Sequence, residues 1–164
     1  MSPILAIKPQ KNGLFTTIDR LSTEWSLSLD FKILTAQTEE YTSFVHLTID
    51  DNAGNHGDRT PLLHLHKASG KIILNVCSSI NDDVNYMFFT GEPLTIGHRY
   101  SLEISQRYMS DGKYRFSVLQ NGVEIHSKVN EKARQFYGVK FYLSSPWYEA
   151  SDVKIYNLKH TNFW

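Results

Sequence analysis

Residues Glu24 to Ile33 read EWSLSLDFKI. Trp25, Leu27, Leu29, Phe31 and Ile33 fall on one parity, and Ser26, Ser28, Asp30 and Lys32 on the other. Side chains alternate across a strand with period two, so the stretch predicts a β-strand with one dry and one wet face. A helix needs apolar spacing of three and four, which the Ser, Asp and Lys positions break. A strand of this kind cannot bury its dry face alone. It requires a second sheet laid over it.

The same reading extends along the chain in both directions. Ile4 to Ile7 predicts a short edge strand, stopped by Pro9 and the Asn12-Gly13 turn signal, and Phe15 to Asp19 a second weak strand. Tyr41 to Asp50 is apolar on both parities and is placed centrally, and the glycine-containing run Asp51 to Thr60 is a loop. Leu62 to His66 and Lys71 to Cys77 form a hairpin through Ala68-Ser69-Gly70; Val84 to Thr90 and Gly97 to Ser105 follow. Tyr114, Phe116 and Val118 lead into Asn121-Gly122, a pair suited to the positive φ angles of a tight primed turn. Val123, Ile125 and Ser127 then return on the inward parity, with Glu124 and His126 facing away. Glu131 to Gln135 predicts one helical turn, and Tyr137 to Leu143 and Val153 to Lys159 close the set. About eleven or twelve strands with turn signals roughly every ten residues mean an antiparallel sandwich or barrel. No linker, low-complexity tract or repeat divides the chain, so residues 1–164 are expected to form one domain.

Composition narrows the partners. Lys plus Arg equals Asp plus Glu at 17 each, so no net field draws the chain to nucleic acid or anionic lipid. Cys77 is the only cysteine, which excludes an intramolecular disulfide and a thiolate cluster. The apolar run near the start spans only Ile4 to Ile7, shorter than a signal-peptide core, and no segment reaches the length of a membrane span. The chain is therefore expected to be cytosolic or a mature extracellular domain with an added Met.

Two local patterns carry a family resemblance. The first is Trp25-Ser26-Leu27-Ser28-Leu29-Asp30-Phe31; the second is Tyr100 to Ser105 followed by Tyr114 to Gln120, Asn121-Gly122 and Val123 to His126. With Val139 to Tyr148 and Ile155 to Leu158 as closing strands, residues 14 to 160 resemble the laminin-G-like and concanavalin A-like superfamily. The resemblance implies an all-β fold, an antiparallel β-sandwich of jelly-roll topology with first and last strands adjacent. The Asp-Arg-Thr-Pro loop and Ser-x-Pro-Trp-Tyr turn are similar to those of secreted modules of marine invertebrates, which implies a secreted or extracellular setting. Members of the superfamily bind glycans, proteins or lipids, so the fold does not choose the ligand.

Candidate site residues fall in three groups. Asp51, Asn55 and Asp58 offer hard oxygens for Ca²⁺ on a loop, a cofactor that laminin-G-like domains carry on such a rim; the alternative is Asp58 and Arg59 holding the loop in shape. His64 and His66 point the same way about 7 Å apart along a strand. With a third ligand such as His46 or His98 they allow Zn²⁺, and otherwise they pack on the sheet or contact a ligand. Trp147-Tyr148 is read first as a plug closing one end of the sandwich and second as an aromatic platform for sugar rings. The E-x-D-x-E pattern of retaining glucanases, the Arg-rich and Gln-x-His strands of alginate-lyase-like members and the galectin motifs are absent. The expectation is therefore a non-catalytic module binding a glycan or an extracellular protein through Asp58, Arg59, His64, His66, Trp147 and Tyr148. An adhesive or self-associating domain and a divergent polysaccharide-cleaving enzyme are the alternatives.

Overall fold

In the computed structural model, which describes residues 6–164, the regular elements are all β-strands. They are β1 (Leu14–Leu21), β2 (Glu24–Ile33), β3 (Tyr41–Thr48), β4 (Leu62–Ala68), β5 (Lys71–Ile80) and β6 (Asp83–Phe89). Then follow β7 (Arg99–Ser110), β8 (Lys113–Gln120), β9 (Val123–Asn130), β10 (Phe136–Tyr142) and β11 (Val153–Phe163). A six-stranded sheet runs β1-β10-β3-β4-β5-β6 and a five-stranded sheet runs β11-β2-β7-β8-β9, all pairs antiparallel.

The two sheets are held by what their alternate side chains bury. On β2 every second residue is buried, from Trp25 to Ile33, as the period-two pattern requires. Phe31 lies 5.1 Å from Phe44 of the opposite sheet and 5.5 Å from Tyr100 on the neighbouring strand. Trp25 meets Phe116 edge-on at 6.5 Å and stacks on His160 at 6.3 Å. Such aromatic pairs add about 0.5–1.5 kcal/mol each beyond the area they bury. From the facing sheet Leu63, Leu65, Leu74 and Val76 complete the layer. On β4 and β5 the opposite parity, His64, His66, Asn75 and Cys77, is thereby turned to the outer face of the six-stranded sheet. The first and last strands meet as expected: Ser22 donates through Oγ to Phe163 O at 2.6 Å, and Asn162 Nδ2 donates to Arg20 O at 3.2 Å.

Two local expectations are corrected, and a third falls largely outside the described residues. β9 reverses its predicted parity beyond Ile125: His126, expected to face away, lies opposite the buried Val118, stacked on Phe88 at 4.2 Å and bonded to Tyr86 Oη at 2.7 Å. The register shift between Val118 and Leu119 is the cause, because one extra residue exchanges the two faces of everything beyond it. Glu131 to Gln135 forms no helical turn. The predicted strand at Ile4 to Ile7 lies outside the described residues except at its end, where Ile7 bridges to Ile155.

Candidate functional site

The loop between β3 and β4 is shaped by its own polar groups. Asp58 is fully buried, and its carboxylate accepts main-chain N–H groups from Asn55 at 2.7 Å and Asp51 at 3.1 Å. Asp51 in turn accepts from the N–H of Asn52 at 2.7 Å. Carboxylates spent on their own backbone are not a cation cage, so the calcium reading of Asp51, Asn55 and Asp58 does not fit the donor set. Among the described residues no cluster of three or more His, Cys, Asp or Glu side chains is placed to hold a metal. The zinc geometry also fails: His98 forms no such cluster with His64 and His66, and both nitrogens of His46 are engaged, Nε2 donating to Asp58 O at 2.7 Å and Nδ1 accepting from Ser145 Oγ at 3.1 Å.

Arg59 is the hub. Its side chain is buried, and its five N–H bonds all have partners. Nε and Nη2 donate to the carbonyl and side-chain oxygens of Asn52 at 3.1 and 3.0 Å. Nη1 donates to Asn85 Oδ1 at 2.8 Å and to Cys77 Sγ at 3.6 Å, and Nη2 also donates to Tyr148 Oη at 3.0 Å. A buried guanidinium is tolerated because every donor is satisfied. The loop-shaping alternative is thus right in outcome and different in detail: Asp58 and Arg59 each hold the loop, through different partners.

Tyr148 reaches this hub from the turn after β10. The turn is pinned by a relay in which the Trp147 N–H donates to Ser145 Oγ at 3.2 Å, and Ser145 Oγ donates to His46. Tyr148 is half-buried, its hydroxyl oxygen accepting from Arg59 and from Asn52 Nδ2 at 3.3 Å, its ring set edge-on to His64 at 4.4 Å. Trp147 stays 39% exposed beside His46 at 5.5 Å, too open for the plug it was expected to be. The strip continues along the outer face, with Tyr41 stacked on His66 at 4.3 Å and His66 edge-on to Phe89 at 5.5 Å.

His64 lies beneath. Asn75 donates its Nδ2 to Phe88 O at 3.2 Å, which orients Oδ1 toward His64 Nδ1 at 3.2 Å. His64 Nδ1 is therefore the donor, and Nε2 is left bare, buried and without a partner. Burial pushes the imidazole down to about 3, with Arg59 nearby adding to the shift, so the ring is neutral at neutral pH. The Cys77 thiol, pushed up to about 11 by burial, is an inert packing group.

Of the six residues expected from sequence, Arg59, His64, His66 and Tyr148 come together on one face, with Trp147 at its margin and Asp58 behind it. Asn75, Asn85 and Tyr41 belong to the cluster and were not anticipated, and Asn52 joins it as a partner of Arg59 and Tyr148 in place of the oxygen donor to a cation that its loop position offered. Asn75 carried a signal, as a polar residue on the parity of Cys77 within an otherwise apolar strand. Tyr41 became visible only with the register that sets it opposite His66.

No protein-family model matches this sequence. No curated protein matches it either. Solved structures do. The alginate lyase Aly36B, in complex with alginate trisaccharide, has a TM-score of 0.63 at 14% identity, covering 98% of this chain and 82% of that one. An alginate lyase from Alteromonas sp. 272 has a TM-score of 0.58 at 12% identity, covering 96% of this chain and 82% of that one. A heptameric SAP-like pentraxin from Limulus polyphemus has a TM-score of 0.59 at 13% identity, covering 98% of this chain and 71% of that one. The likeness is one of fold. This chain is an antiparallel jelly-roll β-sandwich of the concanavalin A-like type, as the sequence patterns implied. The expectation of a non-catalytic module is overturned by the same comparison, since lyases recur among these structures. That expectation rested on missing motif strings. A string records residues adjacent in sequence, whereas here a loop arginine, a strand histidine and a turn tyrosine converge without one.

Proposed function

We propose that this sandwich binds a uronate-containing polysaccharide along the outer face of its six-stranded sheet and cleaves it by β-elimination, with Tyr148 transferring the proton. The observation that carries this reading is the Tyr148 hydroxyl: a half-exposed phenol whose oxygen receives N–H groups from the buried Arg59 and from Asn52. In the elimination, the deprotonated Tyr148 oxygen removes the proton on the carbon beside the uronate carboxylate. A carbon–carbon double bond forms, the bond to the glycosidic oxygen breaks, and the phenol so formed holds the proton the leaving oxygen needs. The departing oxygen takes up a proton. Only a group that reaches the sugar can move that proton, and of Tyr148 and His64 only Tyr148 is accessible.

Arg59 and Asn52 place two donors on the atom that carries negative charge while the proton is away. Arg59 has no N–H left for the substrate carboxylate and acts as a positioning residue. Asn85, whose Oδ1 accepts from Arg59, keeps its Nδ2 donors for that carboxylate, with the guanidinium charge behind it. Tyr41, His66 and Phe89 supply ring faces for neighbouring sugars, which flat side chains present at little entropic cost. The alginate named for the similar lyases is the first substrate to try.

The test is the ultraviolet absorbance of unsaturated uronate ends, followed across a panel of uronate polymers. Tyr148→Phe is expected to lower the rate by about 10²–10⁴-fold. Failure of the parent chain to produce unsaturated ends from any polymer in the panel sinks the proposal.

A further inference from the structure

We propose that the outer face of the five-stranded sheet holds a second binding site, for an anionic group on a polysaccharide chain, built on the cross-strand row Lys154–Lys32–Arg99. Lys154 lies directly opposite Lys32, and Lys32 directly opposite Arg99, so three cations from β11, β2 and β7 stand side by side. Neighbouring strands are about 4.8 Å apart, and like charges placed directly opposite oppose sheet formation. No ion pair among the described residues relieves Lys32 or Lys154. Arg99 alone has an acid, Asp30 at 3.0 Å.

Arg99 is also held in place. Its guanidinium lies 4.0 Å from the Tyr156 ring centroid, and Asp30 is itself fixed by Ser101 Oγ at 2.7 Å and Asn157 Nδ2 at 3.3 Å. The guanidinium is thus oriented while the arginine side chain keeps 47% of its surface open. Lys159 adds a further cation one bulge along β11. The remaining charges on this margin are the Lys8–Asp152 pair at 3.1 Å, which cancels itself, and Glu103, two strands from Lys159 across Ser28.

What lies beside the row selects the ligand class. Beside the row the face sinks into a depression of about 610 Å³, lined by Ser28, Asp30, Ser101, Glu103, Asn121 and Asn157 with Leu119 at its end, so its two carboxylates leave the anionic group to the cation row and face only neutral sugar hydroxyls. Hydroxyl, amide and carboxylate groups suit the ring hydroxyls of a sugar. Exposed aliphatic side chains, which a membrane surface needs, are scarce there. An anionic substituent on the cation row with its sugar in the depression satisfies both halves of the surface. Because this face is on the opposite sheet from Tyr148, the site anchors a polymer and does not touch the reacting bond.

Titration calorimetry of the full chain with dextran sulfate, against unmodified dextran of the same length, tests this without any uronate, so the result is independent of the elimination chemistry. The sulfated polymer is expected to bind with an affinity that falls as salt rises. Lys32→Glu with Lys154→Glu should weaken it by about tenfold or more, as two charge-assisted contacts become repulsive. Lys67→Glu with Lys71→Glu changes the net charge equally at the β4–β5 turn and should leave binding intact. Equal losses in the two double variants would overturn the site, as would unmodified dextran binding as tightly or anionic vesicles binding more tightly than the sulfated polymer. Thermal melts of both variants establish that each is folded when measured.

Discussion

Lowering the pH should unfold this protein through three buried histidines, and one substitution should isolate the share of one of them. His46 and His160 are held down to about 4 by burial, and His64 to about 3 by burial and nearby Arg59. Their ordinary value is 6.5, so between these limits the unfolded chain binds protons that the folded chain refuses. Stability from this source is complete above about pH 6.5 and is lost as the pH falls toward the folded values. At 1.36 kcal/mol per unit, a histidine held near 4 is worth of the order of 3 kcal/mol, and three together approach ~10 kcal/mol. A domain commonly holds only about 5–15 kcal/mol in all. Tryptophan fluorescence and circular dichroism should therefore show acid unfolding beginning above the range where carboxylates take up protons. Glu24, Asp30 and Asp152, all shifted down, add their loss only in that lower window. His160 is the cleanest position to alter, since its Nε2 is buried without a partner and its ring stacks on Trp25. His160→Phe keeps the stack, removes the proton-accepting site and should move the acid midpoint down by about half a unit or more. Coincident midpoints for parent and variant would refute the claim that His160 is held neutral by burial.

Other substitutions test the scaffold of the site. Gly57 adopts φ +93, and a Cβ there would stand 2.6 Å from the Phe136 ring, so Gly57→Ala should cost about 2–4 kcal/mol in urea unfolding. Gly122→Ala, at φ +79 with open space around it, should cost only about 1 kcal/mol; equal losses would contradict the steric argument. Arg59→Lys keeps the charge but not the fork, leaves Asn52, Asn85 and Tyr148 short of donors, and should cost about 2–4 kcal/mol by the same assay.

The sandwich was legible because burial on one face writes period two into a strand, and β2 shows it across its whole length from Glu24 to Ile33. The Asn121-Gly122 turn was legible for a similar reason, since its positive φ values of 53 and 79 are chemistry that few residues tolerate. The inward turn of His126 was not, because a bulge leaves no mark in the alternation before it. The site was half legible: Arg59, His64 and Tyr148 stood out by residue type, yet each also had an ordinary structural reading. What joins them is register and loop closure. Asn52 and Tyr148 are 96 positions apart and share a hydrogen bond. Asp58 was open to two readings for a related reason, as a carboxylate on a loop looks alike whether it faces a cation or its own backbone.

The strand order also bears on how the chain is made. β1 waits for β10, and β2, although flanked early by β7, gains its other neighbour only from β11, the last strand. The central hairpins β4-β5-β6 and β7-β8-β9 can pair as soon as they emerge from the ribosome. Neither sheet can be finished until the far end of the chain has been translated, so Leu14 to Leu21 must wait, its Leu14 and Phe15 open to solvent, for more than a hundred further residues.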